Sequence, residues 1–239
     1  MNIKAQIPNL FTMLNLFCGC VAVVYASVRG FEMAFYFVCL GIFFDFFDGF
    51  FARKFGVAGP LGVQLDSLAD MVTSGVVPGL AMFIFFGRNA SLSDDWRLIP
   101  LFGFLITLGA CYRLAKFNID TRQSDSFIGL PTPANALFFT SLPMVFEKYH
   151  DSLIGSLLTN VWVFLFLCIL SAYVMNAEIP LFSLKIKDFS FLKYKLQIFF
   201  VALSVVMLIF LQIVAVPLII VGYVLISVIN NMVTKKASV

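Results

Sequence analysis

Long apolar runs recur along almost the whole 239-residue chain, and they constrain its fold more than any other feature. Hydrocarbon offers no hydrogen-bond partners, so a run that crosses a bilayer must satisfy its own backbone as an α-helix of about 20 residues. Eight runs approach that length, at roughly residues 9–28, 31–52, 65–87, 98–117, 131–147, 156–175, 196–214 and 216–233. The sequence therefore predicts an all-α, polytopic membrane bundle of about eight transmembrane helices.

The composition excludes an ordinary soluble domain. Hydrophobic residues make up 61% of the chain and charged residues 12%, whereas soluble domains average about 45–50% and about 25%. No stretch is polar enough for a separate soluble domain. We expect one membrane-embedded domain over residues 1–239, with a six-helix catalytic core at about 9–175 and two further helices at about 196–233.

The distribution of lysine and arginine between the loops predicts the orientation, because cytoplasmic loops retain these residues. Arg29, Arg88, Arg97 and Lys148 lie on one side. The other 12 of the 16 lie on the side of both termini: Lys4, Arg53, Lys54, Arg113, Lys116, Arg122, Lys185, Lys187, Lys193, Lys195, Lys235 and Lys236. We therefore expect cytoplasmic termini. The membrane orientation accounts for the position of the basic residues, and the net charge is only +3. Nucleic-acid binding is therefore not predicted.

Four aspartates interrupt the apolar pattern where the second run ends and the third begins. Asp45 and Asp48 are three residues apart, and Asp66 and Asp70 are four apart, so each pair lies on one helical face. An acid inside a span costs about 2.5–3.5 kcal/mol on insertion scales, so four persist only around a cation or a water-filled cavity. Carboxylate oxygens without Cys or His favour hard ions such as Mg²⁺ or Mn²⁺, and paired ions commonly clamp a pyrophosphate. The alternative is that the four acids are held by solvation at the helix ends and by Arg53 or Lys54.

These aspartates belong to a longer motif, D-x2-D-G-x2-A-R-x8-G-x3-D-x3-D, which residues 45–70 match at every fixed position. The chain therefore resembles the CDP-alcohol phosphatidyltransferase family. The resemblance implies an integral membrane enzyme in which an alcohol displaces CMP from a CDP-linked lipid, with two divalent cations on the pyrophosphate. It also implies that Asp45 and Asp66 contact both ions, that Asp48 completes one ion site, and that Asp70 completes the other and acts as the general base.

The same resemblance implies which residues bind the CDP-lipid. Gly49 and Arg53 would contact the CDP group, and the opening segment would bring Asn9 and Thr12 to the nucleotide. This agrees with their chemistry, because glycine leaves room for a bulky group and arginine offers a planar charged fork to phosphate. Close helix packing at Gly49 and helix capping by Asn9 are the alternatives.

Two further patches resemble the branch of this family that uses serine: R-L-A-K-F-N at residues 113–118 and F-I-G-L-P-T-P-A at residues 127–134. That likeness implies CDP-diacylglycerol and L-serine as substrates, and homodimers are typical of such relatives. We expect Arg113 or Lys116 to bind the acceptor carboxylate, beside a site lined by Gly129, Leu130 and Pro131. The alternative is a rigid loop that leads into the fifth helix.

Rival functions stay open at this point. The acceptor could instead be glycerol 3-phosphate, inositol phosphate or another alcohol. A divalent-cation transporter would also place acids inside spans, but it would spread them along several helices, whereas these four cluster at one junction.

Two local features complete the sequence-based model. Pro217 is predicted to mark the turn between the last two helices, because proline cannot continue the helix before it. The aromatic cluster Phe83, Phe85 and Phe86 is predicted to face lipid.

Overall fold

The computed structural model describes residues 3–120, 127–181 and 195–237, which are almost entirely helical. A π-helical segment, Met71–Val76, joins α3 to α4, and 3₁₀ turns lie at Asp94–Trp96, Ile99–Gly103 and Gln212–Val214. Strands β1 (Phe127–Ile128) and β2 (Pro180–Leu181) form a two-residue antiparallel pair. The α-helices in these ranges are α1 Ile3–Ser27, α2 Phe31–Phe55, α3 Pro60–Asp70, α4 Val77–Asn89, α5 Phe104–Ile119, α6 Thr132–Tyr149, α7 Leu153–Leu158, α8 Val161–Asn176, α9 Lys195–Leu211 and α10 Ala215–Ala237.

The predicted all-α membrane architecture is confirmed. Among the described residues, five helical stretches are long and apolar enough to cross a membrane: Gln6–Ser27, Phe31–Phe55, Pro60–Asn89, Ile99–Ile119 and Lys195–Met232. The last stretch contains both the seventh and the eighth predicted runs, as α9 and α10. The fifth and sixth runs correspond to α6 and to α8, which is apolar but short.

The predicted turn at Pro217 is wrong. Helix α9 ends at Leu211, and the break follows at Gln212, whose φ of 54° is left-handed. Pro217 instead lies in the first turn of α10. The N–H groups of a first turn have no acceptor within the helix, so a proline there removes no hydrogen bond.

The predicted lipid-facing position is also wrong for Phe85 and Phe86 of the aromatic cluster in α4, whereas Phe83 is partly exposed. Phe85 and Phe86 are 1% and 0% exposed. Phe86 stacks on Phe164 of α8 with ring centroids 4.0 Å apart, and Phe85 packs edge-on against Phe146 of α6. The reason is that the inward and outward faces of a membrane helix are both apolar, so composition does not separate them.

The first three helices bring the acidic motif together. Helix α1 packs against both α2 and α3. Helix α2 ends at Gly56, which has a left-handed φ of 64°, and α3 begins at Pro60 after an extended Gly59. This short connection returns the chain along α1, so the acids of α2 and α3 meet at the same end of the bundle.

Candidate active site

Three of the four motif aspartates converge on one point. Asp45 and Asp48 come from α2 and Asp66 from α3, and one carboxylate oxygen of each lies within 4.8 Å of the others. Asp48 is 6% exposed, and Asp66 Oδ1 is buried without a hydrogen-bond partner among the described residues. An unpaired buried carboxylate oxygen beside other carboxylates is costly. A hard cation would satisfy this all-oxygen donor set, so the cluster could hold a metal ion.

Helix α1 holds one acid from each of the other two helices. Asn15, which is 0% exposed, donates a hydrogen bond from Nδ2 to Asp70 Oδ1 over 3.0 Å. One turn earlier, Thr12 Oγ1 donates to Asp48 Oδ2 over 2.7 Å. The contact of Asn15 with Asp70 was not predicted from the sequence. The spacing of Asn9, Thr12 and Asn15 could have indicated it, because residues three apart are neighbours on one face of a helix.

The π-helical segment directly after Asp70 packs closely against α1 and α2. Its residue Thr73 donates from Oγ1 to the main-chain oxygen of Asn15 over 3.1 Å. A Cβ atom on Gly41 of α2 would lie 2.9 Å from Asn15 Oδ1 and 2.8 Å from Thr73 Cγ2. Only glycine at position 41 therefore allows this approach, which keeps the Asn15 amide against Asp70. Single π-turns of this kind often occur at functional sites.

A cavity of about 190 Å³ opens beside the acids. It is lined by all four residues that were predicted to contact the CDP-lipid, together with two of the acids: Asn9, Thr12, Gly49, Arg53, Asp48 and Asp66. The three atoms nearest to a Cβ built on Gly49 belong to Arg53, with Nη1 at 3.3 Å, so Gly49 faces the cavity and not a neighbouring helix. The cavity combines acidic cation ligands with an exposed guanidinium, a combination that suits a metal-bound diphosphate.

The segment from β1 to Pro131, which we call the clasp, is bound to the end of α8 and to β2. Gly129 donates from its N–H to Ile179 O over 2.8 Å, and Leu130 donates to Val174 O over 3.1 Å. Gly129 has a φ of 76°, and a Cβ atom there would collide with the carbonyl of residue 175. Glycine is therefore required at this turn, and Pro131 follows it as the N-cap of α6.

The two cations that were predicted to bind the acceptor have different surroundings. Arg113 is 7% exposed and donates from Nη1 to Ile128 O and Met175 O, over 2.6 Å and 2.8 Å. The side chain of Lys116 is 32% exposed, and its Nζ lies 4.0 Å from Glu178 Oε1. Arg113 thus fastens the clasp to α8, whereas the Lys116 ammonium is accessible from outside.

A polar contact joins the clasp side of the bundle to the acidic helix. Ser67 follows Asp66 in α3, and its hydroxyl exchanges hydrogen bonds of 3.1 Å and 2.9 Å with the amide of Asn118. Asn118 lies two residues after Lys116 in α5. The end of α5 that carries Lys116 is therefore attached directly to the helix that carries two of the acids.

The chain matches the CDP-alcohol phosphatidyltransferase family model over residues 5–170, which include every motif aspartate. Proteins named CDP-diacylglycerol–serine O-phosphatidyltransferase are similar to it. One from Helicobacter pylori is 31% identical over 207 residues, which cover 86% of this chain and 81% of that protein. One from Bacillus subtilis is 36% identical over 131 residues, 53% of this chain and 69% of that protein. One from Methanocaldococcus jannaschii is 34% identical over 152 residues, 64% and 66% of the two chains.

Proposed function

This chain belongs to the CDP-alcohol phosphatidyltransferase family, and we propose that it transfers the phosphatidyl group from CDP-diacylglycerol to L-serine, giving phosphatidylserine and CMP. The observation that carries the proposal is the cavity where Asp48 and Asp66 lie with Arg53. A diphosphate needs both cation ligands and a fixed positive charge. The names of the relatives support serine as the acceptor.

In the proposed reaction Asp70 accepts the proton of the serine hydroxyl. The hydroxyl oxygen attacks the phosphorus that carries the diacylglycerol, and the bond from this phosphorus to CMP breaks. Asn15 fixes the orientation of the Asp70 carboxylate through its 3.0 Å hydrogen bond. Two divalent cations, Mg²⁺ or Mn²⁺, held by the four aspartates would offset the charge of the diphosphate.

The CDP group is proposed to lie in the cavity between α1 and α2. Arg53 pairs with a phosphate, Gly49 leaves room for the nucleotide, and the half-buried Asn9 offers an amide at the cavity wall. Thr12 also lines the cavity, but its hydroxyl donates to Asp48. Its principal role is therefore to orient an acid, and it contacts the nucleotide only as an acceptor.

Serine is proposed to bind between the acids and the clasp. The Lys116 ammonium is the accessible cation there, and it binds the serine carboxylate. Arg113 acts indirectly, because its Nη1 already donates to two carbonyls. It holds Gly129, Leu130 and Pro131 in the shape that completes the acceptor site.

The proposed orientation places both termini and the active site in the cytoplasm, as the loop charges predict. Arg53 and Lys116, two of the basic residues behind that prediction, belong to the site itself. Four others, Arg122, Lys185, Lys187 and Lys193, lie outside the described residues. Assembly as a homodimer stays a prediction from the family resemblance.

Release of CMP from CDP-diacylglycerol tests the function directly. The purified chain should release CMP with L-serine, and much less with glycerol 3-phosphate, inositol phosphate or another amino alcohol. An Asp66→Asn variant provides the background rate. A preference for glycerol 3-phosphate would overturn serine as the acceptor. If none of the tested alcohols supported CMP release, the transferase reaction would be overturned.

A further inference from the structure

A second cavity, of about 290 Å³, lies between α6, α8 and α10. Its walls are apolar except for two polar side chains, Asn135 and Ser171. It has no lining residue in common with the nucleotide cavity, which is formed by α1, α2, α3 and the connection between α2 and α3. We call it the lateral groove. Apolar walls with a few polar side chains are typical of grooves that bind a ligand.

The lateral groove opens toward the surface that meets the bilayer. Three of its lining residues, Leu170, Val221 and Leu225, are 39%, 44% and 55% exposed. Helix α10 belongs to the apolar stretch Lys195–Met232 that is long enough to span a membrane. The medium that reaches these side chains is therefore lipid hydrocarbon.

Asn135 gives the groove a buried hydrogen-bond donor that lacks an acceptor. Its side chain lines the groove and is 2% exposed, and Oδ1 accepts a hydrogen bond from Ser171 Oγ over 2.9 Å. Its Nδ2 has no hydrogen-bond partner among the described residues. A buried amide without an acceptor is unfavourable. Water is a poor partner here because a buried water typically makes about three hydrogen bonds, and the groove offers it the side chains of Asn135 and Ser171 alone.

Asn135 lies near one end of its helix. It is the fourth residue of α6, which begins at Thr132 beside the clasp, so it lies about 5 Å along the helix at about 1.5 Å per residue. An ester carbonyl joined to an acyl chain would supply both the acceptor that Nδ2 lacks and an apolar chain to contact the walls of the groove.

We propose that the lateral groove binds an acyl chain of a diester phospholipid of the bilayer, with its ester carbonyl accepting a hydrogen bond from Asn135 Nδ2. This lipid is distinct from the CDP-linked substrate, since α6 lies between the two cavities and packs against α2 on one side and α10 on the other. It fills the space between the α6–α8 pair and α10, the last helix, which lies beyond the family match at 5–170.

Photo-crosslinking of the full chain tests the location. The chain is reconstituted in phosphatidylglycerol vesicles with a trace of a phosphatidylglycerol that carries a diazirine on one acyl chain, and labelled residues are mapped by mass spectrometry. Leu170, Val221 and Leu225 should be labelled several-fold more than Val205 and Ile209 of α9, although those two are 50% and 68% exposed. Equal labelling of both sets would overturn the proposal. A Val221→Trp substitution, which fills the groove, should lower its labelling to the α9 level.

Competition between two lipids tests the hydrogen bond. Labelling of the groove by the trace probe should be about tenfold higher in vesicles of the dialkyl ether analogue, which lacks the carbonyl, than in vesicles of diester phosphatidylglycerol, which competes with the probe. This difference should disappear in Asn135→Leu. Equal competition by the two lipids in the unmodified chain would overturn the role of Asn135. Displacement of the probe by CDP-diacylglycerol would show that the groove belongs to the substrate site and would overturn a separate lipid.

Discussion

Replacement of Asn15 by leucine removes one hydrogen bond from the proposed base while side-chain size changes little. Asn15 is 0% exposed, and its Nδ2 donates to Asp70 Oδ1 over 3.0 Å. A hydrogen bond to a charged group contributes about 1.5–3 kcal/mol. At one factor of ten per 1.36 kcal/mol, kcat should fall about 10- to 150-fold. Asn15 Oδ1 has no partner among the described residues, so leucine also removes an unpaired buried oxygen, which offsets part of the cost of leaving Asp70 Oδ1 without its donor.

The assay is steady-state CMP release with serine varied at saturating CDP-diacylglycerol. A misoriented base slows the chemical step without removing a contact to serine, so kcat should fall while the KM for serine stays close to that of the wild type. Asn89→Leu is the matched control. Asn89 Nδ2 donates to Phe85 O over 2.8 Å at the far end of α4, so this variant loses an amide hydrogen bond away from the acids.

Three results would refute this reasoning. Wild-type kcat in a folded Asn15→Leu variant would show that the hydrogen bond to Asp70 does not matter for the reaction. An increase in the KM for serine at unchanged kcat would assign Asn15 to substrate binding. An equal fall in kcat for Asn89→Leu would show that the loss comes from general destabilisation of the bundle.

Three other predictions can be tested with the same material. Chelation should abolish CMP release, and Mg²⁺ or Mn²⁺ but not Zn²⁺ should restore it. Asp45→Asn and Asp66→Asn should each lower kcat by about 100-fold or more. Activity in excess chelator would refute the metal hypothesis. Lys116→Ala should raise the KM for serine by about 30-fold or more without changing that for CDP-diacylglycerol, and an unchanged KM for serine would remove Lys116 from the acceptor site. A tag near Ser91 should be labelled in intact cells, and a reporter after Val239 should be cytoplasmic. If the tag near Ser91 were labelled only after permeabilisation, the predicted topology would be wrong.

The helices and the acidic cluster were predictable because the signals for both are local. Apolar runs of spanning length are helical in hydrocarbon whatever surrounds them. The fixed spacing from Asp45 to Asp66 includes the end of one helix, a short connection and the start of the next. One short connection therefore brings carboxylate oxygens of Asp45, Asp48 and Asp66 within 4.8 Å of one another.

Features that depend on distant contacts could not be predicted in the same way. The burial of Phe86 requires Phe164, which is contributed by α8. The buried position of Arg113 depends on two carbonyl groups, at Ile128 and Met175, that come from different segments. The sequence pattern places Arg113 as a cation near the clasp, but it does not predict which oxygens accept hydrogen bonds from its guanidinium. The sequence therefore indicated the neighbourhood of Arg113 and left its contacts open.

The residues that break the apolar pattern of the first three helices depend on one another. Asp48 and Asp70 are buried carboxylates, and the polar side chains that donate to them, Thr12 and Asn15, come from α1. Each polar group would be unfavourable in a membrane helix alone, and Gly41 is needed so that Asn15 fits. Two oxygens of this network, Asp66 Oδ1 and Asn15 Oδ1, have no partner within the described chain. Asp66 Oδ1 belongs to a carboxylate that lies within 4.8 Å of two others, and a cation would satisfy it, so it is the strongest physical argument that these helices could bind a metal.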